Sequence, residues 1–333
     1  MLKKISLSLL CALMGAVFIF SGYTKLYPIE PFEYTFVDLG FINWQIAPFV
    51  ARILIGLEFF IGVLLLFNLS LRKIAYKLGI SILLLFCVYL VLLIFFTGNK
   101  GNCGCFGTFL VMTPLQALVK NIVMLGIFFV LNKYHDGWWK KNILQQPTNL
   151  HAPSQEGNKK ISILIVLLFL TSFAMPFILN PVELNYSESY LNKPAENFKI
   201  ELDSLYAHAS INVPPKTLSQ GKHIIAFLSL TCPHCRIAAN KIRIIHERNP
   251  SIPFYFVLNG DTENLKPFFE NTHTEDIPHC LLVGGRGKIK NYFVYVAQTS
   301  NLPAIYLVNN SVVEHDVNYI DLDQGEIEKW MKE

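Results

Sequence analysis

Five apolar runs, each about 20 residues long, dominate this chain. They cover residues 5–23, 48–67, 78–97, 114–131 and 161–179. A helix of about 20 apolar residues matches the roughly 30 Å hydrocarbon core of a bilayer. Composition agrees, since only 16% of residues are charged and 52% are hydrophobic. A soluble domain carries roughly 25% charged residues. All five runs precede residue 180, and the remainder reads as a soluble domain. Two units are expected. Net charge is +4 with no basic tract, so nucleic acid is excluded as a partner and the lipid bilayer takes its place. No cysteine–histidine spacing points to a metal site.

Orientation follows from Lys and Arg in the short loops. Lys3, Lys4, Arg72, Lys73, Lys77, Lys133, Lys140, Lys141, Lys159 and Lys160 fall on one side of the five spans. Lys25 and Lys100 fall on the other, with Arg52 near a span end, where it is expected to snorkel outward. The basic side should face the cytoplasm. The chain then starts inside and leaves everything after the fifth span outside. Lys3 and Lys4 before an apolar run also fit a signal peptide, although no small-x-small cleavage site follows. Cleavage would leave the orientation unchanged.

The soluble part opens with HIIAFLSL, residues 223–230, a buried strand by its Ile, Leu and Phe content. TCPHC follows at once, then a helix to about Arg248, closed by Asn249-Pro250. A second strand is expected over 252–259 and a helix over 263–271. Residues 301–315, NLPAIYLVNNSVVEH, read as two strands joined by an Asn-Asn turn, with a closing helix over 324–332. A thiolate at a helix N-terminus meets free N–H groups and the positive end of the dipole, so its pKa falls. Cys232 is therefore the expected nucleophile, and Cys235, one turn on, the buried resolving thiol. Pro233 suits the first helical turn. His234 can add positive charge. A stabilised thiolate favours the reduced form and makes the disulfide more oxidising. A structural C-x-x-C or half a zinc site is the alternative. Cys280, in IPHC, is a lone thiol and reads as a small buried hydrophobe. Cys11 and Cys87 read as apolar fillers within spans.

The order strand, C-x-x-C at a helix start, strand, helix and Pro-led hairpin resembles the thioredoxin-like superfamily over residues 197–333. Cys-Pro-His-Cys is similar to the motif of periplasmic disulfide oxidases. The overall pattern resembles the membrane-tethered TlpA/ResA-like group. The resemblance implies a cis-proline beside the active-site cysteines, and it assigns that role to Pro303, after Leu302.

GNCGCFG, residues 101–107, lies between the third and fourth spans on the outer side. With SGYTKL (21–26) and ARILIGLEFFIG (51–62), it makes residues 1–134 resemble the DoxX/MauE family of four-helix membrane proteins. The MauE branch implies a role in disulfide formation. The fusion to a thioredoxin-like domain is also similar to bacterial vitamin K epoxide reductase homologues. Those carry a C-x-x-C within a span, which this membrane part lacks. A Cys103–Cys105 disulfide would close a very small ring, easily reduced, with Gly104 supplying the backbone freedom. Two unlinked thiols or a metal-binding Cys-x-Cys are the alternatives.

Two charges lie within spans. Glu58 is ten residues into the second and Lys120 six into the fourth, roughly 15 Å and 9 Å deep by helix rise. Such groups are paired or functional. The expectation is that Glu58 and Lys120 pair below the Cys-Gly-Cys, with a proton relay beside a quinone or a thiol as the sharper version.

The expected architecture is therefore a multi-pass α-helical membrane bundle followed by an α/β thioredoxin-like domain. It comprises a four-helix domain over 1–134, a cytoplasmic loop over 135–160, a fifth anchoring helix over 161–180 and an extracytoplasmic thioredoxin-like domain over 181–333. The expected function is a thiol–disulfide oxidoreductase in a bacterial cytoplasmic membrane. Electrons would pass from extracytoplasmic client thiols through Cys232–Cys235 to Cys103–Cys105, in the oxidising direction, with a quinone as candidate carrier. A reductase or isomerase keeping outer-side thiols reduced is one alternative. An assembly factor whose membrane part is only an anchor is another.

Overall fold

The computed structural model describes residues 2–38, 40, 42–99, 105–107, 109, 112–135, 155–182, 189–192, 197–283 and 292–333. Cys103, Lys100, Lys140 and Lys141 lie outside the described residues. The chain divides into two compact units, Met1–Val182 and Glu183–Glu333.

The first unit is helical. Its elements are α1 (Leu2–Leu26), α2 (Glu30–Asp38), α3 (Ala47–Leu66), α4 (Tyr76–Thr97), α5 (Pro114–Tyr134) and α6 (Gln155–Leu179). A π-helical stretch, Leu71–Ala75, leads into α4. Among the described residues, five helices are long and apolar enough to cross a membrane: α1, α3, α4 with its π-helical lead, α5 and α6. Large apolar side chains such as Leu9, Phe95, Val123 and Ile178 point outward. That is the arrangement of a bundle whose surrounding solvent is lipid.

Glycines set the crossing of α1 and α3. A Cβ at Gly15 would stand 2.7 Å from the Gly62 carbonyl oxygen, and one at Gly62 would stand 2.6 Å from Ile19 Cγ1. The absence of side chains lets α1 and α3 approach backbone to backbone. A capping box starts α5. The Thr113 hydroxyl accepts the Gln116 N–H, the Gln116 side chain accepts the Thr113 N–H, and Pro114 takes the first turn. Where α5 ends, His135 joins three segments: its Nε2 is 2.9 Å from Ser8 Oγ and its Nδ1 3.0 Å from Tyr76 Oη. Cys11 is fully buried nearby, 3.8 Å from Tyr76 Oη, and Cys87 packs against the same core.

Helix α2 is an element the hydropathy pattern does not reveal. It buries Phe32, Tyr34 and Val37 and brings Glu33 to Arg52. Arg52 is therefore not a snorkelling residue. It is 4% exposed and 2.6 Å from Glu33. It also donates to the carbonyl oxygens of Pro48, Asn180 and Pro181. The outward path is closed because α2 and the end of α6 supply acceptors nearer than water.

The second unit is α/β. In chain order it contains β1 (Phe198–Lys199), α7 (Leu202–His208), β2 (Lys222–Ser229), α8 (Pro233–Arg248), β3 (Phe254–Asn259), α9 (Leu265–Thr272) and β4 (His279–Leu282). It ends with α10 (Tyr292–Ala297), β5 (Ala304–Asn309), β6 (Val312–Val317) and α11 (Gln324–Lys332). One sheet runs β1-β6-β5-β2-β3-β4. Strands β2, β3 and β4 are parallel, and β5 turns back antiparallel on β2. Ile224 to Leu228 of β2 are all fully buried, as a central strand covered on both faces requires. A parallel βαβ unit with the cysteine pair at its helix start, closed by an antiparallel hairpin and a last helix, is a thioredoxin-like fold.

Two details differ from the sequence reading. The hairpin turn is Asn310-Ser311, both left-handed at φ 50° and 67°, one residue beyond the expected Asn-Asn. The two-residue loop needs positive φ at both positions, and strand pairing through Asn309↔Val312 sets which two they are. The IPHC segment contributes Cys280 to β4, whose four residues are too few to read as a strand from periodicity.

Candidate thiol sites

Strand β2 ends at Ser229, and the chain enters α8 through Cys232. Cys232 has extended backbone angles and is the N-cap residue of α8. Its Sγ accepts the Cys235 N–H at 3.4 Å. Cys235 is fully buried, and its Sγ accepts the Ser229 N–H at 3.3 Å. Both are free thiols. Burial pushes the Cys235 thiol far up, offset in part by the Ser229 N–H. Cys232 is half-buried at the helix start. The pair is thus asymmetric, one thiol accessible among free N–H groups and one held protonated inside.

Pro303 follows a cis Leu302–Pro303 bond. Because Phe227 of β2 pairs with Ala304 of β5, Pro303 sits at the end of β2 from which the cysteine loop emerges. His234 is exposed, and its Nδ1 is 3.3 Å from Tyr319 Oη. Lys241, 3% exposed, donates to the Ile320 carbonyl at 2.6 Å and holds that loop against α8. Tyr319 and Lys241 carry no sequence signal, because the loop after β6 reaches α8 only in three dimensions. Cys280 is fully buried on β4, and burial raises its pKa to about 11.

In the membrane unit, the described part of the Cys-Gly-Cys-Phe-Gly loop folds onto α1. Gly107 has φ +56°, and a Cβ there would overlap the Thr24 carbonyl oxygen. Only glycine fits this approach. The Cys105 carbonyl oxygen accepts from Ser21 Oγ at 3.2 Å. Phe106 is buried, its ring 5.9 Å from that of Phe20 and 4.2 Å below Lys120 Nζ. Cys105 packs with Leu90 and Ala117 between α4 and α5.

The ion pair differs from the expected one. Glu58 pairs with Lys25, Nζ to Oε1 at 2.5 Å, and Lys25 also donates to Ser21 Oγ at 2.9 Å. Helix α1 runs past Tyr23 to Leu26, so Ser21 and Lys25 face α3 one turn apart. Lys25 is therefore a bundle residue and not a loop charge. Lys120 lies on the same cavity wall as Glu58 and over Phe106. That cavity, about 330 Å³, also reaches Cys105, Ser21 and Asn121. Asn121 adjoins Lys120 and was visible in sequence only as one polar residue in an apolar run.

Residues 3–132 match the family model described as methylamine utilisation protein MauE. The N-terminal unit carries a MauE domain. The chain is also similar to Protein TlpB of Flavobacterium psychrophilum, 29% identical over 301 residues, with 79% of each chain covered. Solved structures matching part of the chain include a secreted Mycobacterium tuberculosis disulfide oxidoreductase homologous to E. coli DsbE. It is 14% identical, with TM-score 0.30, and the match covers 38% of this chain and 98% of that one. The thioredoxin domain of a Bacteroides vulgatus thiol-disulfide oxidoreductase matches at 16% identity and TM-score 0.29, over 35% of this chain and 84% of that one. With a MauE domain and five apolar helices, the chain is a multi-pass membrane protein.

Proposed function

We propose that this protein is a membrane-bound thiol–disulfide oxidoreductase that oxidises extracytoplasmic client thiols. The observation that carries the reading is the Cys232–Cys235 geometry, an N-capping thiol beside a buried one. The Cys232 thiolate exchanges with a client. As a disulfide, the pair accepts the client thiolate at Cys232; the second client thiol closes the client disulfide and releases the Cys232–Cys235 dithiol. That dithiol then reduces the Cys103–Cys105 disulfide, passing on two electrons and two protons. Pro303 shapes the docking surface beside the pair, and the positive charge His234 carries when protonated favours the thiolate. Tethering both pairs in one chain raises their effective concentration to about millimolar.

The ten basic loop residues support a cytoplasmic N-terminus and an extracytoplasmic thioredoxin-like unit; the bacterial inner membrane is implied by the family resemblance alone. The test is Cys235→Ser in cells, with acid quench and mass spectrometry. A mixed disulfide from Cys232 to Cys103 or Cys105 is the expected product. Its absence, with both units folded, removes the relay.

A further inference from the structure

The cavity of the MauE domain has a wall built mainly from apolar side chains, Val17, Leu54, Phe86 and Met124 among them. Its volume of about 330 Å³ lies within the range of small-molecule sites, roughly 300–1,000 Å³. Two lining residues each keep a buried polar atom without a partner among the described residues: Glu58 Oε2 on α3 and Asn121 Nδ2 on α5. Both residues are 2% exposed. Glu58 Oε1 is already engaged by Lys25 and Ser21, so Oε2 is the oxygen left over. A buried polar atom left unsatisfied is costly and needs an explanation. Water is a poor occupant, because a buried water needs two to four polar partners and most of this wall offers none.

The vacancies in hydrogen bonding are one donor and one acceptor, set in an apolar wall within a membrane bundle. The matching ligand is apolar, reaches the site from lipid, and bears an oxygen that accepts and an oxygen that can donate. We propose that the cavity seats the ring of a lipid-soluble quinone. Asn121 Nδ2 donates to one ring oxygen, and Glu58 Oε2 accepts from the hydroxyl of the quinol. Cys105 lines the same cavity. The redox half of this inference rests on the relay proposed above. Closing the Cys103–Cys105 S–S bond releases two electrons and two protons. The quinone takes up both and leaves as quinol.

The experiment uses the full chain in lipid nanodiscs. The probes are decylubiquinone and an azido-ubiquinone photolabel. Saturable labelling of α3 and α5 peptides, competed by decylubiquinone, is expected. Asn121→Leu should weaken decylubiquinone binding about tenfold, the loss of roughly one buried hydrogen bond. Thr35→Trp, which adds bulk at the cavity wall, should weaken it at least as much. Label spread over lipid-facing helices without competition overturns the site, as does unchanged affinity in a folded Asn121→Leu protein. Binding should persist in the Cys103→Ala variant, and its loss there overturns the assignment to Asn121 and Glu58. Quinol formation by pre-reduced protein should occur in the wild type and vanish in that variant. Quinone that binds wild type and stays oxidised overturns the redox half. If the Cys235→Ser trap fails while quinone still binds competitively, the relay falls and the binding site stands.

Discussion

Lys25 Nζ stands 2.5 Å from Glu58 Oε1, with both side chains 3% exposed. Two charges so enclosed stabilise one another only as a pair, since either alone keeps the desolvation penalty without the attraction. Glu58→Gln or Lys25→Met should therefore cost about 3–5 kcal/mol. The double variant Lys25→Met/Glu58→Leu should recover most of it. Thermal unfolding in detergent, read as a double-mutant cycle, measures the coupling. If Glu58→Gln lowers stability yet leaves redox turnover intact, Glu58 is no proton relay.

Arg52 lies near the N-terminal end of α3. Its guanidinium meets Glu33 and three carbonyl oxygens, so it ties α2 and the end of α6 to α3. Arg52→Met should destabilise the membrane unit by about 3–5 kcal/mol. Arg52→Lys should rescue little, because an ammonium cannot reproduce the planar fork. Limited proteolysis after Asn180, alongside unfolding curves, reports both effects.

The α1–α3 crossing leaves no room for a methyl group. Gly62→Ala should cost about 1–3 kcal/mol through forced separation of the helices. Gly126→Ala is the control, because a Cβ there meets nothing within 4 Å. A stability loss at Gly126 equal to that at Gly62 would contradict the packing argument.

Cys280 gives a pH dependence with a defined sign. Its thiol ionises near 9.0 when unfolded and about 11 in the fold. Between those values the folded state binds more protons than the unfolded one, so stability falls as pH rises. Below pH 9 this contribution is fully present. Cys280→Ala should flatten the urea midpoint across pH 9–11 relative to wild type and leave the Cys232–Cys235 potential unchanged.

His234 should tune the active pair. In the proposed relay the charge His234 carries when protonated favours the thiolate, so removing it stabilises the disulfide relative to the dithiol. His234→Gln should thus lower the reduction potential by tens of millivolts, about 30 mV for each 1.4 kcal/mol. Tyr319→Phe should move it in the same direction by less, as the imidazole loses its hydroxyl partner. Equilibration with glutathione buffers reads both shifts, and an unchanged potential in His234→Gln removes its assigned role.

The five spans, the cysteine pair at a strand–helix junction and the Pro303-led hairpin were all legible in the chain. Each is a local pattern: an apolar run of bilayer length, a switch from strand to helix, a turn between alternating strands. The four-residue strand β4 and the short helix α2 were not legible, because each is too brief for its period to register and owes its form to neighbours. Sequence alone therefore determined that this protein crosses a membrane and carries closely spaced cysteines in two places. Tertiary structure decided that Glu58 meets Lys25 and not Lys120, that Arg52 turns inward, that Tyr319 reaches His234, and that Asn121 and Cys105 share one cavity. Those pairings join residues far apart in the chain. Buried charges and polar atoms take whichever partner the packed helices bring within reach, and no local pattern encodes that choice.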